Sequence, residues 1–100
     1  MKVSYKGNEY RINWSKQYQK LMNPENQIVV TEQVTGTYCF IKNEANEVIA
    51  DGNSFLNPAD NFNKNIGRKI SLTRALSTIS DKDFRSEIWK EYFIMRNGKN

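Results

Sequence analysis

The stretch from Asn57 to Ser80, NPADNFNKNIGRKISLTRALSTIS, constrains the fold more than any other part of the chain. Asn57 is a good N-cap residue, Pro58 fits a first helical position where the missing N–H does no harm, and Asp60 places a carboxylate near the free amides. These signals predict a long helix over about 58–79. At about 100° per residue, Phe62, Ile66, Ile70, Leu72, Ala75, Leu76 and Ile79 fill an apolar arc of about 220°, wider than a surface helix needs. The expectation is a central helix buried on most sides.

Asn65, Lys69 and Thr73 interrupt that arc at i, i+4 and i+8, forming a polar stripe along one side of the helix. Arg68 borders the arc and Lys64 precedes it by one turn. Gly67 gives up roughly 1 kcal/mol of helix propensity relative to alanine, which is understandable if something approaches the backbone closely. An anionic ligand or a partner chain accounts for these residues together. A helix that begins later, with Lys69 snorkelling to solvent, accounts for them equally.

The preceding residues read as strands. Val3 and Tyr5, then Tyr10, Ile12 and Trp14, alternate with polar residues about a Lys6-Gly7-Asn8 turn, predicting a hairpin. Ser15 reads as the cap of a short helical turn carrying Tyr18, Leu21 and Met22, ended by Asn23-Pro24. The run from Gln27 to Gln33 is rich in β-branched residues, and beyond Gly36 the alternation puts Tyr38 and Phe40 on one face and Cys39 and Ile41 on the other. Apolar groups on both faces predict a strand covered on each side, by strands, helices or a second subunit. Residues 43–46 make a turn, and EVIADG returns as the next strand. After the long helix, Ser80 and Asp83 open a second one, with Phe84, Ile88, Tyr92 and Met95 on its apolar face, Trp89 and Phe93 widening it, and Gly98 to end it. The fold class is therefore α+β, an antiparallel, sandwich-like β part over about 2–55 followed by a helical hairpin over about 58–79 and 81–96, in a single domain of 100 residues.

The inventory narrows the chemistry. With no histidine and one cysteine, His-based triads, Cys–His pairs, thiolate zinc clusters and disulfide scaffolds are excluded. Cys39 reads as a small buried apolar residue. Asp81 and Asp83 are explained by helix capping, Asp51, Glu44 and Glu47 by turns, and they form no acid–base pair. No catalytic residue, metal site or cofactor is expected. A net charge of +4 favours anionic partners but lacks the dense basic runs of a dedicated nucleic-acid binder. No run nears the roughly 18 apolar residues of a membrane span, and no signal-peptide pattern opens the chain, so a cytoplasmic protein is expected.

The candidate binding residues lie around the long helix. Arg68 can bind phosphate bidentately, Lys64 and Lys69 act as point charges, Thr73 and Asn65 offer donor and acceptor groups, and Arg74 reads as a solvated surface residue. Phe55 can stack on a base, or plug the core as a staple against the helix.

The segment Asp60-x-Phe62-x-Lys64-x-x-Gly67-Arg68-Lys69-x-x-Leu72-x-Arg74-Ala75-Leu76, after a β-hairpin and before an aromatic helix, resembles small phage proteins that counter bacterial signalling defence. Among these it is similar to the Thoeris anti-defence sponge proteins, which sequester cyclic ADP-ribose-type signals without degrading them. The likeness spans roughly Tyr38 to Tyr92. It implies a compact homodimer acting in the cytoplasm of the infected bacterial cell, with ligand pockets near the subunit interface. It also implies that Phe55 is the pocket aromatic, Asn65 the pocket asparagine, and Arg68 with Arg85 the arginines. Two other readings stay open. One is an inhibitor of a bacterial defence enzyme or RNA-guided effector, anchored by Tyr5, Tyr10 and Trp14. The other is a basic nucleic-acid-binding module using the helix face.

Overall fold

The computed structural model describes residues 1–22, 29–56 and 61–98. One antiparallel sheet, in the order β1-β2-β3-β4, is followed by two helices. The α+β class read from the sequence is the observed one.

Strand β1 (Lys2–Tyr5) turns into β2 (Asn8–Met22) through Lys6 and Gly7, whose φ values of 50° and 81° give the left-handed pair that a tight hairpin turn demands. Strand β3 (Val29–Lys42) pairs with β2 from Arg11 to Met22, and a turn held by Asn43 leads to β4 (Val48–Phe55). The Asn43 side chain accepts the Glu47 amide at 2.9 Å, and Asn46 takes the left-handed conformation at φ 66°.

The expected helical turn from Ser15 through Met22 does not form. Those residues continue β2, pairing from Ser15↔Tyr38 to Met22↔Val29 with register shifts at Gln17/Tyr18 and Leu21/Met22. The ladder satisfies backbone groups that a short isolated turn would leave to water, so long-range pairing overrides the local cap signal. Gly36 lies within β3 and does not divide it. An alanine Cβ there would meet the Ser54 carbonyl oxygen at 2.0 Å, so only glycine allows β4 this close. The stop signal Asn23-Pro24 and the start of the run at Gln27 lie outside the described residues.

Helix α1 (Lys64–Leu76) begins later than its sequence signals predict. Residues 61–63 are not helical, and the cap is Asn63, whose side chain accepts the Ile66 amide at 3.1 Å. Asn57, Pro58 and Asp60 lie outside the described residues. Starting at Lys64, the helix turns Ser71, Leu72, Ala75 and Leu76 onto the sheet, while Ile66 and Ile70 remain 57% and 38% exposed. The expectation of burial on most sides is corrected: α1 covers the sheet with one stripe. Asn65, Lys69 and Thr73 lie on the exposed side. Helix α2 (Lys82–Asn97) is capped by Asp81, whose carboxylate accepts the amides of Asp83 and Phe84.

Both helices cover the same face of the sheet. Val3, Ile12, Cys39, Ile41 and Ala50 supply the sheet side of the core, and Leu72, Leu76, Ile88 and Tyr92 the helix side. Gly52 lets α1 touch β4, because a Cβ there would stand 2.4 Å from the Ala75 nitrogen and 2.5 Å from the Ser71 oxygen. Helix α2 reaches the first hairpin through aromatic contacts, Tyr5 and Tyr10 on Phe84 and Trp14 on Tyr92, with centroids 4.6 to 6.0 Å apart. Of the two apolar faces expected of the Tyr38–Ile41 strand, the helices cover the one carrying Cys39 and Ile41. Tyr38 and Phe40 are half-buried on the other.

Candidate functional site

The start of α1, the middle of β2 and β3 and the end of β4 enclose two neighbouring recesses. The larger, about 440 Å³, lies between Phe55 and Leu56 on one side and Phe62, Ile66 and Ile70 on the other, with Thr37 and Ser54 in its floor. The smaller, about 50 Å³, is walled by Trp14, Lys16, Lys64 and Arg68. Thr37 and Phe62 line both, so the two adjoin, and together they make a two-part cleft with an apolar, aromatic half and a cationic half.

Each wall follows from the fold. Lys16 and Thr37 are cross-strand partners on the helix-covered side, in alternation with Ile12 and Trp14 on β2 and with Cys39 and Ile41 on β3. Gly67 keeps the helix low over this floor, since a Cβ there would stand 2.5 Å from the Thr37 hydroxyl oxygen. Trp14 donates its indole N–H to the Arg68 carbonyl at 3.1 Å, and the Arg68 guanidinium lies 5.4 Å from the centroid of the same indole. Lys16 is placed likewise, its Nζ 5.1 Å from the centroid of Phe62. Thr37 is only 3% exposed, and its hydroxyl has no hydrogen-bond partner among the described residues. A buried polar group left in that state costs of the order of 1–3 kcal/mol, so its position in the cleft floor calls for an explanation.

The residues singled out from the sequence are dispersed over several places. Phe55, Lys64 and Arg68 belong to this cleft, and Phe55 is 75% exposed there, which removes the core-plug reading. Asn65 opens onto a different depression of about 330 Å³, shared with Arg68, Tyr92, Met95 and Arg96. Lys69 lies over the Phe93 ring at 5.9 Å, and Thr73 donates its hydroxyl to the Lys69 carbonyl at 2.8 Å. Arg85 joins neither recess. Its guanidinium donates to the Ile79 carbonyl at 2.6 Å in the link between the helices, while Asn65 faces the opposite end of α2. Arg74 is tied down as well, donating to the Asn53 carbonyl at 2.8 Å.

Lys16 and Thr37 are cleft residues to which the sequence reading assigned no role, and Trp14, read there as an anchor for a protein partner, is a wall of the cleft. A signal for two of them existed, because Thr37 and Lys16 are polar groups at positions whose i±2 neighbours are core residues.

Cys39 is fully buried and burial pushes its thiol up to about 12, which keeps it protonated and unreactive at neutral pH. Among the described residues no group of three or more histidine, cysteine, aspartate or glutamate side chains converges as a metal site would require. The cleft offers an aromatic pair, two lysines and an arginine, and these suit a ligand with a flat ring at one end and negative charge at the other. No protein-family model matches the chain, and comparison with curated proteins and with solved structures gives no significant match.

Proposed function

We propose that the protein is a non-catalytic binder that captures a cyclic nucleotide signal of the cyclic ADP-ribose type and holds it without degrading it, as an anti-defence sponge of the Thoeris kind acting in the cytoplasm of an infected bacterial cell. The observation that carries this reading is the two-part cleft. Phe55 and Phe62 both line the larger recess, while Lys16, Lys64 and Arg68 line the smaller one beside it. Stacking of a base on the aromatics is worth about 1–3 kcal/mol, and each charge-assisted bond to phosphate about as much again. The same reading includes a homodimer, for which the exposed Phe93, Ile94 and Met95 on α2 supply apolar surface.

Calorimetric titration of the purified protein with cyclic ADP-ribose isomers and cyclic dinucleotides tests the proposal. Micromolar or tighter binding is expected, and mass spectrometry of the denatured complex returns the ligand intact. Arg68→Ala weakens capture by roughly tenfold to a hundredfold, the worth of one lost charged bond, while the melting transition stays near that of the parent. Absence of binding to every compound in the panel, or return of a cleaved product, rejects the reading. Light scattering at micromolar concentration checks the dimer.

A further inference from the structure

The face of the sheet turned away from the helices carries a pattern that the linear sequence hides. Lys2, Arg11 and Lys42 are direct cross-strand partners on β1, β2 and β3. Their chain neighbours Val3, Ile12 and Ile41 are buried beneath the helices, so the three cations share the open face in one row. Like charges placed directly opposite destabilise a sheet unless an anion lies between them.

Beside that row, on the central strand β3, Phe40 and then Tyr38 present their rings on the same face, stacked with centroids 5.5 Å apart and planes 27° apart. Lys42 reaches over the Phe40 ring at 5.3 Å. Asn13 and Asp51 flank Phe40 in register, and Ser15 and Asn53 flank Tyr38. The Asn53 side-chain oxygen is buried and has no hydrogen-bond partner among the described residues. Of the acids beside this row, Asp51 is engaged by the Tyr38 hydroxyl at 2.8 Å, Glu9 lies on β2 one row beyond the cations, and Glu44, which accepts the Glu9 amide at 3.1 Å, shares a recess with Arg11 at its edge.

We propose that this open face is a platform for single-stranded nucleic acid, with a base extending the Tyr38–Phe40 stack and the Lys2–Arg11–Lys42 row holding the adjoining phosphates. Aromatic rings on an open sheet next to a cationic row match what a single strand offers, splayed bases and a charged backbone in parallel. A duplex keeps its bases stacked on one another and cannot bring them to the rings. A second copy of the chain seated here would desolvate two such cationic rows against the partly engaged Asp51, Glu9 and Glu44, a poor balance of charge. The platform is separate from the α1 cleft, and the two bind independently.

Fluorescence anisotropy with labelled oligothymidylate, oligouridylate and a DNA duplex of equal length, on the full chain, decides the matter. The single strands bind at low salt and the duplex does not. Affinity falls with salt at a log–log slope of about −2, the value for three neutralised phosphates of a single strand. Phe40→Ala weakens binding roughly tenfold, Arg11→Gln flattens the slope by about 0.7, and Arg68→Ala changes neither. Arg11 is exposed, so its variant reports on the platform even if Phe40→Ala proves unstable. Equal binding of duplex, absence of single-strand binding at low salt, or loss of binding in Arg68→Ala with retention in Arg11→Gln each overturns the proposal. So does a dimer whose interface buries Phe40. A cyclic nucleotide that fills the cleft leaves oligonucleotide binding unchanged, so failure here is distinguishable from failure of the cleft.

Discussion

Replacing Gly52 with alanine tests the seam between α1 and the sheet. The added Cβ would stand 2.4 Å from the Ala75 nitrogen, 2.5 Å from the Ser71 oxygen and 2.8 Å from the Arg74 carbonyl carbon, the first two about 1 Å inside ordinary contact. All three atoms are helix backbone, so no side chain can rotate aside. Relief requires α1 to lift from β4 by about that distance, which opens a gap beneath Leu72 and Ala75, and a gap of 0.5–1 Å already forfeits roughly a quarter to a half of each contact's attraction. Overpacking of this kind costs typically about 1–3 kcal/mol, and rigid backbone neighbours place Gly52→Ala at about 3 kcal/mol. For a domain of this size that lowers the melting temperature by roughly 12–24 °C. Gly67→Ala is the internal control, since its Cβ would meet the Thr37 side chain at 2.5 Å, which can turn, and alanine returns about 1 kcal/mol of helix propensity. Thermal and urea unfolding of both variants give the comparison. A Gly52→Ala protein that melts within about 2 °C of the parent, or below which Gly67→Ala falls, refutes the close seam.

Other outcomes follow from single contacts. Asn63→Ala removes the acceptor of the Ile66 amide and lowers stability by about 1 kcal/mol, read by urea unfolding, with the N-terminal turn of α1 losing amide-exchange protection first. Cys39, with its thiol pushed up to about 12, stays unmodified by a thiol reagent at neutral pH in the folded protein and reacts fully once it is denatured. The bonds from the Phe84 amide, the Tyr5 hydroxyl and the Asp83 amide hold the Asp81 carboxyl below its ordinary value. Its contribution to stability is therefore complete above the unfolded carboxylate pKa near 4 and is lost as pH falls through the lower folded value. Asp81→Asn keeps a capping oxygen but flattens that acid limb, which unfolding measured from pH 5 down to pH 2 shows.

Much of the fold was legible because local and long-range signals agreed. Lys6-Gly7 supplied both a turn and the alternation on either side of it, and the apolar period of α2 ran from Phe84 to Tyr92 without interruption. The errors arose where local signals were ambiguous. Asn57 and Asn63 are equally good caps by residue type, and the choice of Asn63 shifted the exposed side of α1, turning Ile66 and Ile70 from core residues into walls of a cleft. Ser15 through Met22 fit a short amphipathic turn, and only the partner strand shows that they extend. In the cleft, Phe55, Lys64 and Arg68 were visible because they cluster along the chain, whereas Lys16 and Thr37 arrive from two other strands. The row of Lys2, Arg11 and Lys42 is the extreme case. Its members are far apart in sequence, and pairing register alone makes them neighbours.

The strand order carries a kinetic consequence. Because each strand pairs only with the next one along the chain, the sheet is assembled by closing short hairpins, and the loop entropy lost at each step is small. No strand waits for a partner on the far side of another element, as it would in a crossover topology. The turns at Lys6-Gly7 and residues 43–47 close two of those hairpins, and a substitution that weakens either is expected to slow refolding more than it hastens unfolding, which stopped-flow kinetics measure.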